Sequence, residues 1–533
     1  MHAEKASNLD IKEVESVETH LATGEARLAL ATSMELLKSN SGSADVWSLV
    51  GRALRELNGR EQAIEAFKAA SALEPDNTVV LHELGELMRL EGQIPDSLDI
   101  YRRLLELDDT DESAMKGMHE SVLALGRLST AELEVELPKC IHFYEQGLIA
   151  DPTRIDLYYS LSHLYITSGR SRDSVTLLES LISILPDCPT ANYNYAMALK
   201  DAGFTDKAIE HLKKVHPENS NMVGKVNHSM AHALLQKRNF SEGWAHYEAR
   251  WLDDHFPSKN LDLLDERLPR WEGERDAKLL VWAEQGIGDE VMFLSALPDL
   301  MKCCSHVTVA CDSRLIPIFE RSFLGNVSFV SKKLPVIKGV FDAQLPMGSL
   351  PLFFRQDIRD FVSAQNGYLR PDMKIVDRIR DKLCTSKTTE IIGLSWFSNS
   401  TTHARLNRNT SLTKLIQSIG PGDHRFVCLQ YGEVDDDLAE TRRELGVEVV
   451  NPSDIDQRED IDNLCNLIAA CDRVVTVDNV TVHLAGALGI STTAFIPLIA
   501  DWRWGCYEES TYWYSSVKLH RQTHPKVWPM LSH

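Results

Sequence analysis

Between residues 44 and 109, apolar and small side chains recur with one spacing, twice. In ADVWSLVGRALRELNGREQAIEAFKAASALEPD, Trp47, Val50, Gly51, Leu54, Ala63, Phe67, Ala70 and Pro75 define one unit. A shift of 34 residues lands on Leu81, Leu84, Gly85, Met88, Ser97, Tyr101, Leu104 and Asp109. The helical period in each half of the unit predicts two antiparallel helices per repeat. Gly51 and Ala63 are small where those helices cross, and the larger apolar residues fill the groove between them. Pro75 ends the second helix and opens the next unit. The frame returns through Tyr158, Leu161, Tyr165, Leu178, Leu181 and Pro186, then through Asn192, Tyr195, Ala196, Leu199, Ala208 and Leu212. A last unit runs through His232, Phe240, Trp244 and Tyr247, and residues 11–40 read as a degenerate leading unit. About six stacked units are expected, with Glu112 to Glu136 the least regular stretch.

After Trp251 the pattern changes class. DDHFPSKNLDLLDERLPRWEGERD is polar and carries Pro257, Pro269 and Gly273, which suits a connector over 251–277. KLLVWAEQ then reads as a short strand, followed by GIGDE and the helical VMFLSALPDLMKCC. HVTVAC is a second strand, and IIGLSW, RFVCLQ, DRVVTVD and STTAFIP are four more, separated by helix-compatible segments. Strands alternating with helices predict parallel sheets covered on both faces. The expected organisation is leading helices over 1–43, repeats over 44–250, and two α/β units over 278–380 and 381–533.

Charge narrows the choice of ligands. The net charge of -22 argues against broad nucleic-acid or anionic-membrane binding, while leaving room for a local basic pocket. No apolar run is long enough to span a bilayer and the N-terminus does not read as a signal peptide, so a cytoplasmic protein is expected. The ten cysteines include no CxxC pair, which fits reduced, buried thiols and no zinc site.

FSEGWAHYEARW, LLVWAEQGIGDEVMF, IGLSWFSN, VTVDNVTVHLAGALG and ADWRWG occur in that order between Phe240 and Gln522. With the repeats, they resemble the bacterial tetratricopeptide-repeat glycosyltransferases whose catalytic half is related to heptosyltransferases. The resemblance implies an all-α tetratricopeptide-repeat superhelix followed by a GT-B domain, two Rossmann-like lobes with a last helix crossing back to the first. It implies a nucleotide-sugar donor, no metal and no other cofactor. Some members are similar to flagellin glycosyltransferases, in which the repeats hold the protein acceptor.

The candidate site residues lie at strand-to-helix turns. In VTVDNVTVHLAGALG, either Asp478 or Asn479 caps the helix, whose first turn carries Thr481 and His483. A helix start beyond the carboxyl end of a parallel strand suits a phosphate, although plain capping and a packed His483 explain the same residues. In GIGDE, Gly286 and Gly288 allow a tight turn close to a ligand. Asp289 matches the aspartate that the resemblance implies as general base; complementing the helix dipole is the other reading. Ser395, Asn399, Arg405 and Arg408 in and after IIGLSW offer donors for a leaving phosphate, or form a solvated loop. Gln430 either contacts the nucleotide base or ends its strand. Trp502, Arg503 and Trp504 either flank a sugar or close the lobe.

The expected function is inverting transfer of a sugar to a hydroxyl of a protein acceptor, flagellin being one candidate, recruited by the repeats. Two alternatives stand beside it. One is a glycan or lipopolysaccharide acceptor. The other is a non-catalytic scaffold with a vestigial second half, to which Asn479 points, because the resemblance implies a small hydroxyl residue at that position in many heptosyltransferase-like members.

Overall fold

The computed structural model describes residues 11–128, 130–217, 219–253, 268–333, 340–364, 367–384, 389–398, 408–524 and 527–531. The chain divides into two compact units, residues 1–164 and 165–533.

The first unit is helical. Ile11–Ala22, Ala26–Ser39, Ala44–Glu56, Arg60–Leu73, Thr78–Leu90, Ile94–Leu107 and Glu112–Leu123 follow one another through short turns. The repeat is written in the caps as well as in the core. Ser43, Asn77 and Asp111 each accept a hydrogen bond from the backbone N–H three residues on, opening successive repeats. Each lies one 34-residue period after the last. Gly51 meets its expectation, because a Cβ there would come within 2.8 Å of the Phe67 ring. Gly85 and Gly117 both face Tyr101 in the same way. The stretch expected to be irregular contains a 3-10 turn, Ala124–Arg127, and then a long helix, Thr130–Ala150, with Pro138 inside it.

The second unit begins with more repeat helices, including Ser171–Ile184, Pro189–Asp201, Thr205–Leu212, Ser220–Gln236 and Phe240–Tyr247. Two parallel sheets follow. The first holds β1 (Lys278–Trp282), β2 (His306–Cys311), β3 (Val327–Ser331) and β4 (Ala343–Pro346) in the order β3-β2-β1-β4. The second holds β5 (Glu390–Ser395), β6 (His424–Cys428), β7 (Val449–Val450), β8 (Arg473–Val477), β9 (Thr492–Ile496) and β10 (Val517–Arg521) in the order β10-β9-β8-β5-β6-β7. Central strands such as β2 and β5 are buried along almost their whole length, as helices on both faces require. In each sheet the chain winds outward one way and then returns to the other side of its first strand. The switch points lie between β1 and β4 and between β5 and β8.

Three features of the structure bear on the expected organisation. By compactness the chain divides beside Leu164, whereas the connector was expected over 251–277. Trp244, Tyr247 and Trp271 share one buried cluster with β1, β2, β8 and β9, so the last repeat belongs to the α/β unit. The helix Met373–Leu383 straddles the expected 380/381 boundary and packs on Ile461–Ala469 beside the second sheet. No helix follows Trp504 among the described residues, so the crossing-back helix is replaced by β10. The alternation of buried Val517 and Leu519 with exposed Lys518 suits an edge strand rather than a helix. No described helix is long and apolar enough to cross a membrane.

Candidate functional site

Both switch points carry the expected residues. At the first, β1 runs into Glu284, Gln285 and the GIGD turn, and the helix Ile287–Phe293 starts after Gly286. At the second, β8 runs into Asp478 and Asn479, and the helix Val480–Ala487 starts there. Ligands of parallel sheets bind in such crevices. The two turns meet each other: a Cβ at Gly288 would stand 3.0 Å from the His483 ring. Gly288 is therefore small because His483 packs on it, not because a tight turn needs it. Neither Gly286 nor Gly288 has positive φ.

Asn479, rather than Asp478, is the cap. Its Oδ1 accepts from the Thr481 N–H at 2.9 Å and from the Thr476 hydroxyl at 3.1 Å. Its Nδ2 donates to Ser395 Oγ at 2.7 Å and to the Phe397 carbonyl at 3.1 Å. Ser395 in turn donates to Gln430 Oε1 at 2.9 Å, which also accepts from the Trp396 and Phe397 N–H groups. Ser395, Gln430 and Asn479 thus spend their hydrogen bonds on one another, tying the ends of β5, β6 and β8 together. Arg408 lies 3.7 Å from Asp478, and the Asn409 side chain closes a loop on the Ser398 backbone, accepting from its N–H and donating to its carbonyl. Asn399 and Arg405 lie outside the described residues.

Thr481 Oγ1 and Arg408 Nε are buried and have no hydrogen-bond partner among the described residues. Such orphans are costly in a dry interior, and a ligand oxygen would relieve both. Asp478 is nearby and buried; burial pushes its carboxyl up, and Arg408 pulls it back. Burial pushes His483 down to about 3, with Arg503 acting in the same sense, so the imidazole is neutral. Its Nδ1 lies 3.0 Å from the Tyr514 hydroxyl. Gly486, on the same helix, leaves room for the Tyr514 ring.

Asp289 is engaged from the other sheet. Arg503 donates from Nη2 to Asp289 Oδ1, and from Nη1 to Asp501 Oδ1 at 2.6 Å. Burial works against the Arg503 charge, but Asp289 and Asp501 hold it protonated well above its ordinary range. Glu290 does a different job: it accepts from Lys332 Nζ and from the Asp312 N–H, both at 2.8 Å, bracing the ends of β1, β2 and β3.

A second constellation joins the last repeat to the first sheet. The fully buried Arg250 donates to Glu284 at 2.9 Å, Glu248 at 3.0 Å, Ser349 at 3.0 Å and the Tyr247 carbonyl at 3.1 Å. Its guanidinium lies between the Tyr247 and Trp251 rings. Gln285 Nε2 donates to the Tyr247 hydroxyl at 2.6 Å. HYEARW and AEQG are thus the two halves of one joint. The sequence displayed both segments, but nothing in their spacing showed that they pair.

Comparison with known proteins agrees with the helical part and, for one relative, extends over most of the chain. A family described as tetratricopeptide repeat matches residues 44–77. The chain carries tetratricopeptide repeats. Protein FlbA of Caulobacter vibrioides is 27% identical over 519 residues, covering 93% of this chain and 84% of that protein. Superkiller complex protein 3 of Mus musculus is 24% identical over 129 residues, 24% of this chain and 8% of that protein. A crystal structure of a tetratricopeptide repeat protein from Parabacteroides merdae covers 46% of this chain and 93% of its own at 13% identity and TM-score 0.31. A crystal structure of MamA protein covers 32% and 89% at 22% identity and TM-score 0.26.

Proposed function

We propose that the chain transfers a sugar from a nucleotide-sugar donor to a hydroxyl of a protein acceptor, with the two parallel-sheet lobes acting as a GT-B catalytic domain. The observation that supports this most is the meeting of the two switch-point turns. It sets Asp289, next to Gly288, beside the helix whose first turn carries the orphaned Thr481 donor, with Arg408, whose Nε is orphaned, paired to Asp478 just before that helix. In this reading the donor's phosphates lie over the start of the Val480–Ala487 helix and take up those two donors. The acceptor oxygen attacks the anomeric carbon, the bond from that carbon to the phosphate oxygen breaks, and Asp289 receives the hydroxyl proton. Tetratricopeptide repeats stack into surfaces that bind other proteins, which suits a protein acceptor.

The self-satisfied trio of Ser395, Gln430 and Asn479 favours a second reading, in which the α/β part is a scaffold without turnover. A panel of uridine, cytidine, guanosine and adenosine nucleotides in a thermal-shift assay separates the two. Stabilisation by one of them is expected, because a ligand of the native state raises its apparent stability. Intact-mass spectra of proteins from cells with and without the chain then read the sugar as a mass increment. No response to any nucleotide and no mass increment would leave the scaffold.

A further inference from the structure

Arg503 reaches Asp289 from the opposite sheet, on the 3-10 turn Trp502–Trp504 that follows β9. Its guanidinium lies 4.5 Å over the Trp502 ring and is shared between Asp289 and Asp501. Only Oδ1 of Asp289 is taken. Oδ2 has no hydrogen-bond partner among the described residues and stands 3.7 Å from where a Cβ on Gly286 would be. The carboxylate is 20% exposed, so this second oxygen is within reach of solvent or substrate.

The turn that carries Arg503 is held by the last repeat rather than by its own sheet alone. Gln236 Nε2 donates to the Ala500 carbonyl at 3.0 Å. Trp244 meets Trp502 edge-on at 5.5 Å, and His232 stacks on the same ring at 6.0 Å. Thr205 hydrogen-bonds Gln236 in turn. A cation placed this firmly fixes the rotation of the carboxylate it binds, and orientation of a reacting group is a large part of catalysis.

We propose that Arg503 is a positioning residue for Asp289: it holds Oδ1 so that Oδ2 faces the acceptor hydroxyl, and the last tetratricopeptide repeat sets its place. This rests on Asp289 being the base of the transfer. Arg503 exchanges no proton in the step; the proton passes from the acceptor oxygen to Asp289 as the new carbon–oxygen bond forms and the phosphate leaves.

The test uses the full chain with Arg503→Ala, Arg503→Lys and Asp289→Asn. Extract from cells lacking the chain supplies donor and acceptor, and the readout is the initial rate of sugar-mass increment. Binding of the nucleotide that stabilises the wild type is measured alongside. Arg503→Ala is expected to bind that nucleotide as the wild type does and to transfer about a hundredfold more slowly. Added guanidinium is expected to restore part of the rate. Arg503→Lys, which keeps the charge, is expected to be folded and intermediate in rate. Wild-type rates in both Arg503 variants, with Asp289→Asn inactive, would overturn the positioning role alone. Wild-type transfer by Asp289→Asn would instead overturn the reading on which it rests. Equal losses of nucleotide binding and rate in Arg503→Lys, with no rescue of Arg503→Ala by guanidinium, would also overturn it.

Discussion

Asp289 and His483 are the two residues on which the crevice chemistry turns, and their surroundings make opposite demands. Asp289 is partly exposed and paired with Arg503, a setting that leaves the carboxylate reachable. Asp289→Asn is expected to leave nucleotide binding nearly unchanged and to slow transfer about a hundredfold, the usual scale for a general base. Initial rates of mass increment on the folded variant check it. His483 is buried and neutral, and the half-buried His228 is pushed down to about 4 by its partial burial. For such groups the unfolded chain takes up protons first as pH falls below 6.5, so each contributes stability that is lost toward acid. The loss per histidine is about 1.4 kcal/mol for each pH unit between its unfolded and folded values. Glu284 runs the other way. Burial raises it to about 6 despite Arg250, so its share of stability grows as pH falls from 6 toward 4.5. His119, His211, His232 and His246 are also pushed down by burial, and these histidines outnumber the raised carboxyls Glu284, Glu290, Asp201 and Asp478, so denaturation midpoints should fall between pH 7 and pH 5. His483→Gln should show a shallower fall, and an unchanged slope would mean that His483 is protonated in the folded chain.

At the scale of elements, the repeat helices were readable because several positions recur in phase, and the structure adds the in-phase caps Ser43, Asn77 and Asp111. Strands β1, β2, β5, β6, β8 and β9 were readable as apolar runs. β4 and β7 were not, being four and two residues long, and β10 hid in an alternating edge pattern. The candidate residues were legible as polar groups at strand ends, but their partners depend on strand order. Ser395 meets Asn479 only because β8 lies beside β5, a neighbour 84 residues away. The same limit hid the joint made by Arg250 and Glu284. Arg250→Ala strands a buried carboxylate and is expected to cost about 3–5 kcal/mol. Glu284→Gln in the Arg250→Ala background should recover part of that loss, since it removes the unpaired charge. A double-mutant cycle by urea denaturation measures the coupling; additive losses would show that the pair does not interact.

For the whole molecule, the joint decides where the chain can be cut. A boundary near residue 251, the one that periodicity suggests, would strip the α/β part of Trp244, Tyr247 and Arg250, all almost wholly buried. The Trp244 Nε1 would also lose the Arg355 carbonyl that it meets at 2.9 Å. Removing one such large aromatic from a core costs about 3–5 kcal/mol, and this cut removes several at once. A fragment starting at Lys278 should therefore aggregate or melt far below the full chain. The compact division lies instead beside Leu164, and the nearest break between helices is the turn at Gly169, whose φ of +79° marks the end of the helix Ile155–Thr167. Fragments 11–169 and 170–533 should each fold, because repeat helices chiefly contact their sequence neighbours. The longer one keeps Gln236, Trp244 and Arg250, and with them Arg503 and Asp289 in place, so it should bind nucleotide as tightly as the full chain. If the leading repeats recruit the acceptor, it should nevertheless transfer sugar to protein more slowly at low acceptor concentration and match the full chain at saturation. Circular dichroism melts and transfer rates against acceptor concentration check both halves of this expectation. A stable, nucleotide-binding fragment beginning at Lys278 would show that the Arg250 joint is dispensable to the fold.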